Sequence, residues 1–223
     1  MPRLARIVVP GMPHHVTQRG NNQQDVFFVD EDRKVYLKFL REYGERYGFR
    51  IHAYCLMTNH IHIVGVPDKE ESLAKAVGRT HFRYSQYVNA LHQRSGHLWQ
   101  GRFYSCVLDE AHYENALHYV EQNPVRARMH RKAWCYPWSS AAVHCGAVPH
   151  DGMLDLALWR ALLGDERRWR SVLEHGVDPE FQEAFRRNTH TGRPLCTDSF
   201  LSKLENQLGR RLRALPVGRP QKR

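Results

Sequence analysis

Two histidines lie close together in the otherwise apolar stretch MTNHIHIVGVP, at residues 57–67. The pattern is typical of a β-strand, in which successive side chains point to opposite faces. His60 and His62 therefore share one face, while Ile61 and Ile63 pack into the other. Two neutral imidazoles in this arrangement are able to bind one divalent metal ion. About one His-x-His is expected by chance in a chain with 15 histidines among 223 residues, so the pair needs other support.

One supporting feature is the helix that the sequence EAHYENALHYVEQN predicts for residues 110–123. Tyr119 lies at the edge of its apolar stripe, and Asn123 follows four residues later on the same helix face. A phenol and a carboxamide therefore project together. With the two imidazoles they would form a metal-dependent phosphoryl-transfer centre. If nothing converged on the histidines, hydrogen bonding within a polar surface strand would be the simpler interpretation.

The elements that position these side chains follow from the spacing of apolar residues. Alternation predicts strands, and apolar residues at four-residue spacing predict helices. The resulting order, β-α-β-β-α-β followed by a helix, indicates an α+β fold of the ferredoxin-like type. We expect an antiparallel sheet with helices on one face, which leaves the other face free for a site. The predicted strands are 14–20, 49–57, 60–66 and 101–109, and the predicted helices are 30–47, 70–93 and 110–123.

The distribution of charge divides the chain into two parts. Residues 1–148 contain all the predicted strands and are expected to form one domain, whereas residues 149–223 are expected to be a helical extension with a basic tail. Residues 186–223 hold ten Lys and Arg against two Asp and Glu, in a chain of net charge +10. This distribution is typical of a polyanion binder, and nucleic acid is the expected polyanion. A solvated basic tail without a partner is the competing interpretation.

Hydropathy and cysteine content indicate the compartment. No run of about 18 apolar residues occurs, which argues against a membrane span or a membrane partner. The stretch MPRLARIVVPGMPHH has too short an apolar segment for a secretory signal, so we expect a cytoplasmic, nucleoid-associated protein. The five cysteines form an odd set without a Cys-x-x-Cys pair, which indicates reduced thiols and neither a disulfide framework nor a zinc site.

Several motifs together resemble those of the HUH transposases that use a single tyrosine, and among them the REP-associated tyrosine transposases. His60-Ile61-His62 is similar to their His-hydrophobic-His signature. Tyr119, which lies 57 residues after His62 and leads into NPVRA, is similar to their nucleophile. The resemblance covers residues 1 to about 145. Further similar stretches are HHVTQRGNNQQDVFF (14–28), LWQGRFYS (98–105) and, in the extension of some members, GRPLCTDSFLSKLENQLGRRL (192–212).

This resemblance implies cleavage and rejoining of single-stranded DNA, at hairpin or palindromic elements, by a monomer or homodimer. His60, His62 and Asn123 would hold Mg²⁺ or Mn²⁺, although imidazole ligands suit manganese or zinc better than magnesium. Tyr119 would attack phosphorus to give a 5′-phosphotyrosine and a free 3′-hydroxyl. Relatives often carry glutamine four residues after the tyrosine, so Gln122 or a water is the alternative to the shorter Asn123.

Other residues are predicted to contact DNA outside this centre. Trp99 and Arg102 lie in a Gly-flanked loop before the fourth strand. Trp99 would stack on an unpaired base and Arg102 would clamp it, unless Trp99 belongs to the core. In the extension, Gly-Arg-Pro at 192–194 and 218–220 would lie along a minor groove. The predicted DNA-binding residues are Arg19, Trp99, Arg102, Arg193, Arg210, Arg211 and Arg219.

Three other interpretations compete with a strand-transfer enzyme. The β-α-β-β-α-β order is shared by non-catalytic modules that stack RNA bases, although HIHIVGV places histidines where such modules carry aromatics. A hydrolytic metalloenzyme would want an Asp or Glu beside the pair, and none adjoins it in sequence. A catalytically inactive relative that only binds DNA is the third. If Tyr119 is not the nucleophile, Tyr113 is the next phenol to consider.

Overall fold

A computed structural model describes residues 6–214 of the chain. Its four strands form one antiparallel sheet in the order β2-β3-β1-β4. This order, with a helix between β1 and β2 and another between β3 and β4, is the ferredoxin-like arrangement. The predicted α+β fold is therefore confirmed. The strands are β1 (His14–Arg19), β2 (Phe49–Leu56), β3 (His60–Pro67) and β4 (Tyr104–Val107).

The helices include both predicted crossovers and a series in the C-terminal extension. β4 is shorter than the predicted strand 101–109, because the chain around Gly101 turns with a φ of +148° before pairing begins. The helices are α1 (Asp30–Tyr47), α2 (Ser72–Leu91), α3 (Glu110–Glu121), α4 (Asn123–Arg126), α5 (Ala141–His144), α6 (Ala157–Leu163), α7 (Glu166–Glu174), α8 (Pro179–Thr191) and α9 (Asp198–Leu208), with short 3-10 turns at Asn21–Gln23 and Ala133–Cys135.

Local sequence fixes the ends of the helices that matter for the site. Asp109 caps α3 by accepting a hydrogen bond from the backbone of His112. Pro124 has no backbone N–H to donate, so α3 ends before it and the chain turns into α4. α8 begins with the cap Asp178 and ends at Gly192, whose φ of +73° suits a residue without a side chain.

One face of the sheet is covered by α1 and α2. Val16, Ile61 and Ile63 point to this face and are fully buried in a core cluster with Tyr36 and Leu73 of those helices. Alternation along β3 thus places the isoleucines as the sequence predicts. This layer is a dry hydrophobic core.

The opposite face is also covered, which corrects the expectation of helices on one side only. Ala53, Cys55 and Val64 point to this face and pack against α3. Trp169 of α7 and Phe185 of α8 complete this second cluster. Apolar side chains on both faces of a sheet require cover on both, so the C-terminal helices bury what the crossover helices leave exposed.

The extension is joined to the sheet by polar as well as apolar contacts. The fully buried carboxylate of Glu121 on α3 accepts hydrogen bonds from Trp169 Nε1 at 2.7 Å and from His144 Nδ1 at 2.6 Å. Helix α9 packs through Leu204 on Ile7. The predicted domain boundary at residue 148 stays a prediction. The helices that follow it pack against the sheet and form part of the hydrophobic clusters on it. Within the described part of the chain, every helix is too short or too polar to traverse a lipid bilayer.

Candidate active site

A cavity of about 680 Å³ opens on the α3 side of the sheet. His60 and His62 of β3, Tyr119 of α3 and Asn123 at the start of α4 all line it. One chain therefore brings together the imidazoles, the phenol and the carboxamide that the sequence singles out. The cavity lies between the strands and α8, whose side chains form the facing wall.

Strand register explains why the histidines face the cavity. His60 pairs with Arg19 of β1 and His62 pairs with Thr17, so these four side chains share one face. The rings of His60 and His62 lie 5.1 Å apart between centroids and are nearly perpendicular, at 84°. His60 Nδ1 donates a hydrogen bond to Asn59 Oδ1 at 2.7 Å. Its Nε2 is therefore the nitrogen that carries a lone pair.

A hydrogen-bond chain behind His62 sets its orientation in the same way. His62 Nδ1 and His15 Nε2 share a bond of 2.9 Å, and His15 Nδ1 lies 2.9 Å from Thr189 Oγ1 of α8. If His15 donates to Thr189, its Nε2 accepts from His62, and His62 Nε2 is left unprotonated. Second hydrogen bonds of this kind fix the tautomer and ring orientation of metal-binding histidines.

Burial keeps both imidazoles neutral. It lowers the pKa of His60 to about 4, with help from the nearby charges of Arg19 and Arg126. Burial also holds the pKa of His62 well below its usual value of 6.5, and the neighbouring His60 and His15 add to the effect. A neutral imidazole nitrogen is the form that binds metal ions.

The donor set at the cavity fits a divalent cation in part. Two neutral imidazoles are suitable ligands for Mn²⁺ or Zn²⁺. No group of three His, Cys, Asp or Glu side chains able to hold a metal ion occurs within residues 6–214. His60 and His62 would therefore need an amide, water or a phosphate oxygen to complete the coordination.

Tyr119 is a buried side chain whose ring is held on several sides. It is 4% exposed, and its ring centroid lies 5.7 Å from that of His62. The guanidinium carbon of Arg126 lies 4.0 Å from the ring centroid, a cation–π contact. Arg186 of α8 donates a hydrogen bond from Nε to the phenolic oxygen at 3.1 Å. The hydroxyl therefore points towards the cavity rather than into the core.

Asn123 lines the cavity, but its side-chain amide already forms hydrogen bonds within the protein. Its Oδ1 accepts a hydrogen bond from Arg126 Nη2 at 2.6 Å, and its Nδ2 donates to the carbonyls of Tyr119 and Val120. Binding a metal would require Oδ1 to exchange its bond to Arg126. The assignment of Asn123 as a metal ligand therefore stays a prediction.

Gln122, the alternative third ligand, points away from the cavity. Its Nε2 donates to the carbonyls of Leu173 and His175 at the end of α7. The side chain thus joins α3 to the C-terminal extension. This geometry does not favour Gln122 over Asn123 at the metal.

The alternative nucleophile Tyr113 is also remote from the histidine pair. It is fully buried and shares a hydrogen bond of 2.8 Å with His52 Nδ1. Burial raises the pKa of Tyr113 far above its usual value of 10. A second phenol that does line the cavity is Tyr104 of β4, which sequence reasoning did not single out.

The predicted DNA-contacting residues are spread over different environments. Arg19 is exposed and lines the cavity, and Arg102 is exposed in the loop before β4. Trp99 is 7% exposed, stacks on His81 at 4.5 Å and donates from Nε1 to the His81 carbonyl, so it belongs to the core. The loop folds back over α2, which favours the core interpretation of Trp99, and a contact of Trp99 with DNA stays a prediction.

The arginines of the extension that the sequence predicts to contact DNA lie in a different region from the cavity. Arg193 donates from Nε to the carbonyl of Leu212 at 3.2 Å, and Arg210 and Arg211 are exposed after α9. None of these three lines the cavity. Arg219 lies outside the described residues.

Sequence reasoning missed several residues that build the cavity wall. Arg126 belongs to the NPVRA stretch, so the motif marked it without indicating a role. His15 alternates with Thr17 and Arg19 on β1, and register alone could have placed it beside the pair. Arg186 in the stretch AFRRNT resembles an ordinary exposed helix residue, and nothing local distinguishes it.

Comparison with known proteins identifies the family. Residues 8–123 match the family of IS200-like transposases, which is more than half of the 223-residue chain. The chain belongs to this family. The resemblance to tyrosine transposases that the motifs suggested is thus confirmed, and the protein is a transposase-like, DNA-processing protein. No curated protein matches the sequence.

Two solved structures are similar to this chain. A REP-associated tyrosine transposase bound to a REP hairpin superposes with a TM-score of 0.57 and 15% identity, covering 71% of this chain and 96% of that one. This likeness supports the fold. A provisionally assigned transposase from Deinococcus radiodurans R1 gives a TM-score of 0.38 and 18% identity, covering 59% of this chain and 94% of that one.

Proposed function

We propose that the protein is a metal-dependent enzyme of the HUH type that cleaves and rejoins single-stranded DNA through a 5′-phosphotyrosine at Tyr119. The observation that carries the proposal is the position of the Tyr119 ring, 5.7 Å from that of His62 within one cavity of one chain. A nucleophile and neutral imidazoles in one basic cavity are the groups that phosphoryl transfer needs.

The charge of the cavity favours a phosphodiester substrate. Three arginines, Arg19, Arg126 and Arg186, line it together with the histidine pair. Guanidinium groups match the geometry of phosphate oxygens, and they remain charged at every physiological pH. The similar transposase structure holds a REP hairpin, which supports hairpin-forming DNA with unpaired flanks as the substrate here.

The proposed reaction is a transfer of phosphorus between two oxygens. The phenolic oxygen of Tyr119 attacks the phosphorus, and the bond from phosphorus to the 3′-oxygen breaks. The phenol loses one proton and the departing 3′-oxygen gains one, so a free 3′-hydroxyl results. Attack by a 3′-hydroxyl on the tyrosyl ester reverses these steps and rejoins a strand, so no ATP is needed.

The protein's own side chains hold the reacting groups in place. Arg126 lies against the Tyr119 ring, and its Nη1 donates to the Tyr119 carbonyl at 2.7 Å. The phenol is therefore held at the junction of α3 and α4 before DNA binds. A divalent cation, Mg²⁺ or Mn²⁺, bound at His60 and His62 would offset the negative charge of the phosphate, with Asn123 as the proposed third ligand.

Formation of a covalent adduct tests this function. Hairpin-forming oligonucleotides with single-stranded extensions are incubated with the protein and Mn²⁺ and run on a denaturing gel. We expect a protein–DNA band that EDTA abolishes and that Tyr119→Phe lacks while it still binds the DNA.

The matched control is Tyr104→Phe, which removes the hydroxyl of another phenol at the same cavity. It should form the adduct at close to the normal rate. An adduct that persists in Tyr119→Phe would move the nucleophile elsewhere. DNA binding by the unaltered protein with no adduct under any divalent metal would refute the proposal and favour a binding module.

A further inference from the structure

The C-terminal extension contributes a cation to the phenol that the proposed reaction uses. Arg186 lies on α8, well outside residues 8–123 that match the transposase family. Its Nε donates to the phenolic oxygen of Tyr119 at 3.1 Å, and its guanidinium carbon lies 5.9 Å from the ring centroid. The hydrogen bond is thus made at the phenolic oxygen, while the guanidinium lies at the outer limit of a cation–π contact with the ring.

We propose that Arg186 is a catalytic residue of the strand-transfer reaction, an inference that rests on the function proposed above. When Tyr119 attacks, the phenol loses its proton to solvent and negative charge passes through its oxygen to the phosphate. A guanidinium that already donates to this oxygen stabilises that charge without reorganising. It acts equally in rejoining, when the same oxygen departs from phosphorus. Arg186 keeps its own proton throughout.

The remaining donors of Arg186 are suited to the phosphate. Nε is bonded to Tyr119, and the two Nη groups have no hydrogen-bond partner among the residues that the structure describes. The side chain lines the cavity. A planar guanidinium is therefore able to bond the phenolic oxygen and a phosphate oxygen at once, which a lysine ammonium does less well.

The other arginine beside the phenol is engaged differently. Arg126 donates from Nη1 to the Tyr119 carbonyl and from Nη2 to Asn123 Oδ1. Its contact with the phenol is to the ring face, at 4.0 Å from the centroid. Arg126 positions the helix end, and Arg186 is the arginine whose N–H reaches the reacting atom.

Helix α8 holds Arg186 firmly against the site. The Phe185 ring, fully buried, lies 4.7 Å from that of Tyr119 and 4.3 Å from that of His15. One turn later, Thr189 Oγ1 lies 2.9 Å from His15 Nδ1. These contacts fix the backbone on both sides of Arg186, and the hydrogen bond to Tyr119 holds its exposed side chain at the cavity before DNA binds.

Single-turnover kinetics on the full-length chain test the proposal. Arg186→Gln should slow adduct formation at saturating DNA by about 100-fold, the cost of removing one donor to a developing oxyanion. Rejoining from the isolated adduct should slow by a similar factor, because the same oxygen is involved. Arg186→Lys should keep more of the rate, and millimolar guanidinium should partly rescue Arg186→Ala.

The matched control is Arg187→Gln, which removes the same charge from the next, exposed position of α8. It should leave both rates unchanged. DNA affinity is compared in a Tyr119→Phe background, where cleavage does not interfere. Thermal unfolding of Arg186→Lys shows whether α8 remains docked.

The outcomes separate this inference from the proposed function. Normal adduct formation by the unaltered protein, with Arg186→Gln as fast as Arg187→Gln, would overturn the role of Arg186 alone. A faster reaction in Arg186→Gln would also overturn the catalytic role. It would show that the hydrogen bond from Arg186 to the Tyr119 oxygen slows the attack. Absence of any adduct from the unaltered protein would instead refute the proposed function.

Discussion

The two faces of the sheet differ in composition although the same strands build them. On the α1–α2 face, Ile61 and Ile63 are 0% exposed and belong to a closed hydrophobic cluster. On the α3–α8 face, His60 and His62 alternate with them and border an open, basic cavity. At adjacent positions of β3, the two isoleucines therefore supply stability and the two histidines supply chemistry, while other residues of the histidine face pack in the second core cluster.

The difference predicts opposite results for neighbouring substitutions. A change on the dry face removes packing and leaves a void, so it lowers the free energy of unfolding. A change at His60 or His62 removes a functional group that lines the cavity and belongs to neither hydrophobic cluster. Position along β3 should therefore decide whether stability or cleavage is lost.

The largest effect is expected from His60→Ala. Loss of one of two imidazole ligands should slow metal-dependent adduct formation by about 1,000-fold, since metal charge contributes several kcal/mol to such reactions. The melting temperature should change little because His60 borders the cavity. Adduct formation and thermal unfolding are measured together, with the exposed His97→Ala as control. Normal Mn²⁺-dependent cleavage by His60→Ala would remove the metal assignment.

Ile63→Ala is expected to show the reverse pattern. Truncating a fully buried isoleucine should lower the free energy of unfolding by about 3 kcal/mol, through lost burial and a cavity. Adduct formation per folded molecule should stay near normal. Urea denaturation measures the first quantity, and Val148→Ala, at a 46% exposed site, is the control. An unchanged unfolding free energy would contradict the division between the faces.

Acid should lower the free energy of unfolding through buried histidines, such as His81 of α2 and His14 of β1. Burial lowers the pKa of His81 to about 3 and that of His14 to about 4, from 6.5 in the unfolded chain. Below pH 6.5 the unfolded chain therefore takes up protons that the folded chain does not. Stability is full above pH 6.5 and falls as the pH drops from 6.5 towards these lower pKa values. At pH 5 each histidine should cost about 2 kcal/mol.

Urea denaturation at pH 7.5 and pH 5.0 measures this loss. His81→Gln, which is able to keep a hydrogen bond to the Tyr36 hydroxyl that lies 3.0 Å from His81 Nε2, should show a smaller dependence on pH. Equal stability at the two pH values, or higher stability in acid, would show that these histidines are not held neutral.

The smallest effect is expected in the basic tail. Arg210→Gln and Arg211→Gln should each reduce the slope of log affinity against log salt by about 0.7, if each arginine neutralises one phosphate of a single strand. The cleavage rate at saturating DNA should not change, because neither residue lines the cavity. Arg167→Gln on α7 is the control. An unchanged slope of log affinity against log salt would show that the tail is a solvated extension that does not contact DNA.

The sequence was sufficient for the features that depend on local periodicity. Alternation in HIHIVGV separated the histidines from the isoleucines, and four-residue spacing placed Tyr119 and Asn123 at one helix face. Each of these patterns lies within one strand or one helix, so the local sequence alone indicates it. The predicted strands 49–57 and 60–66 are separated by two residues only, and the structure pairs them as the antiparallel strands β2 and β3.

Features that depend on distant contacts could not be read in this way. The extension packs on the second face of the sheet, but its helical patterns do not indicate what they cover. Trp99 lies in a Gly-flanked loop typical of an exposed segment, yet its ring stacks on His81. Arg186 meets Tyr119 from 67 residues away, and only the docking of α8 reveals the pair.

Peptide mapping of the covalent adduct tests the central claim most directly. The protein is incubated with hairpin DNA and Mn²⁺, digested with protease and nuclease, and the modified peptide is sequenced by mass spectrometry. We expect one modified residue, Tyr119, carrying a 5′-nucleotide, and none when EDTA is present. A nucleotide on Tyr104 or another side chain, or the absence of any modified peptide, would contradict the account.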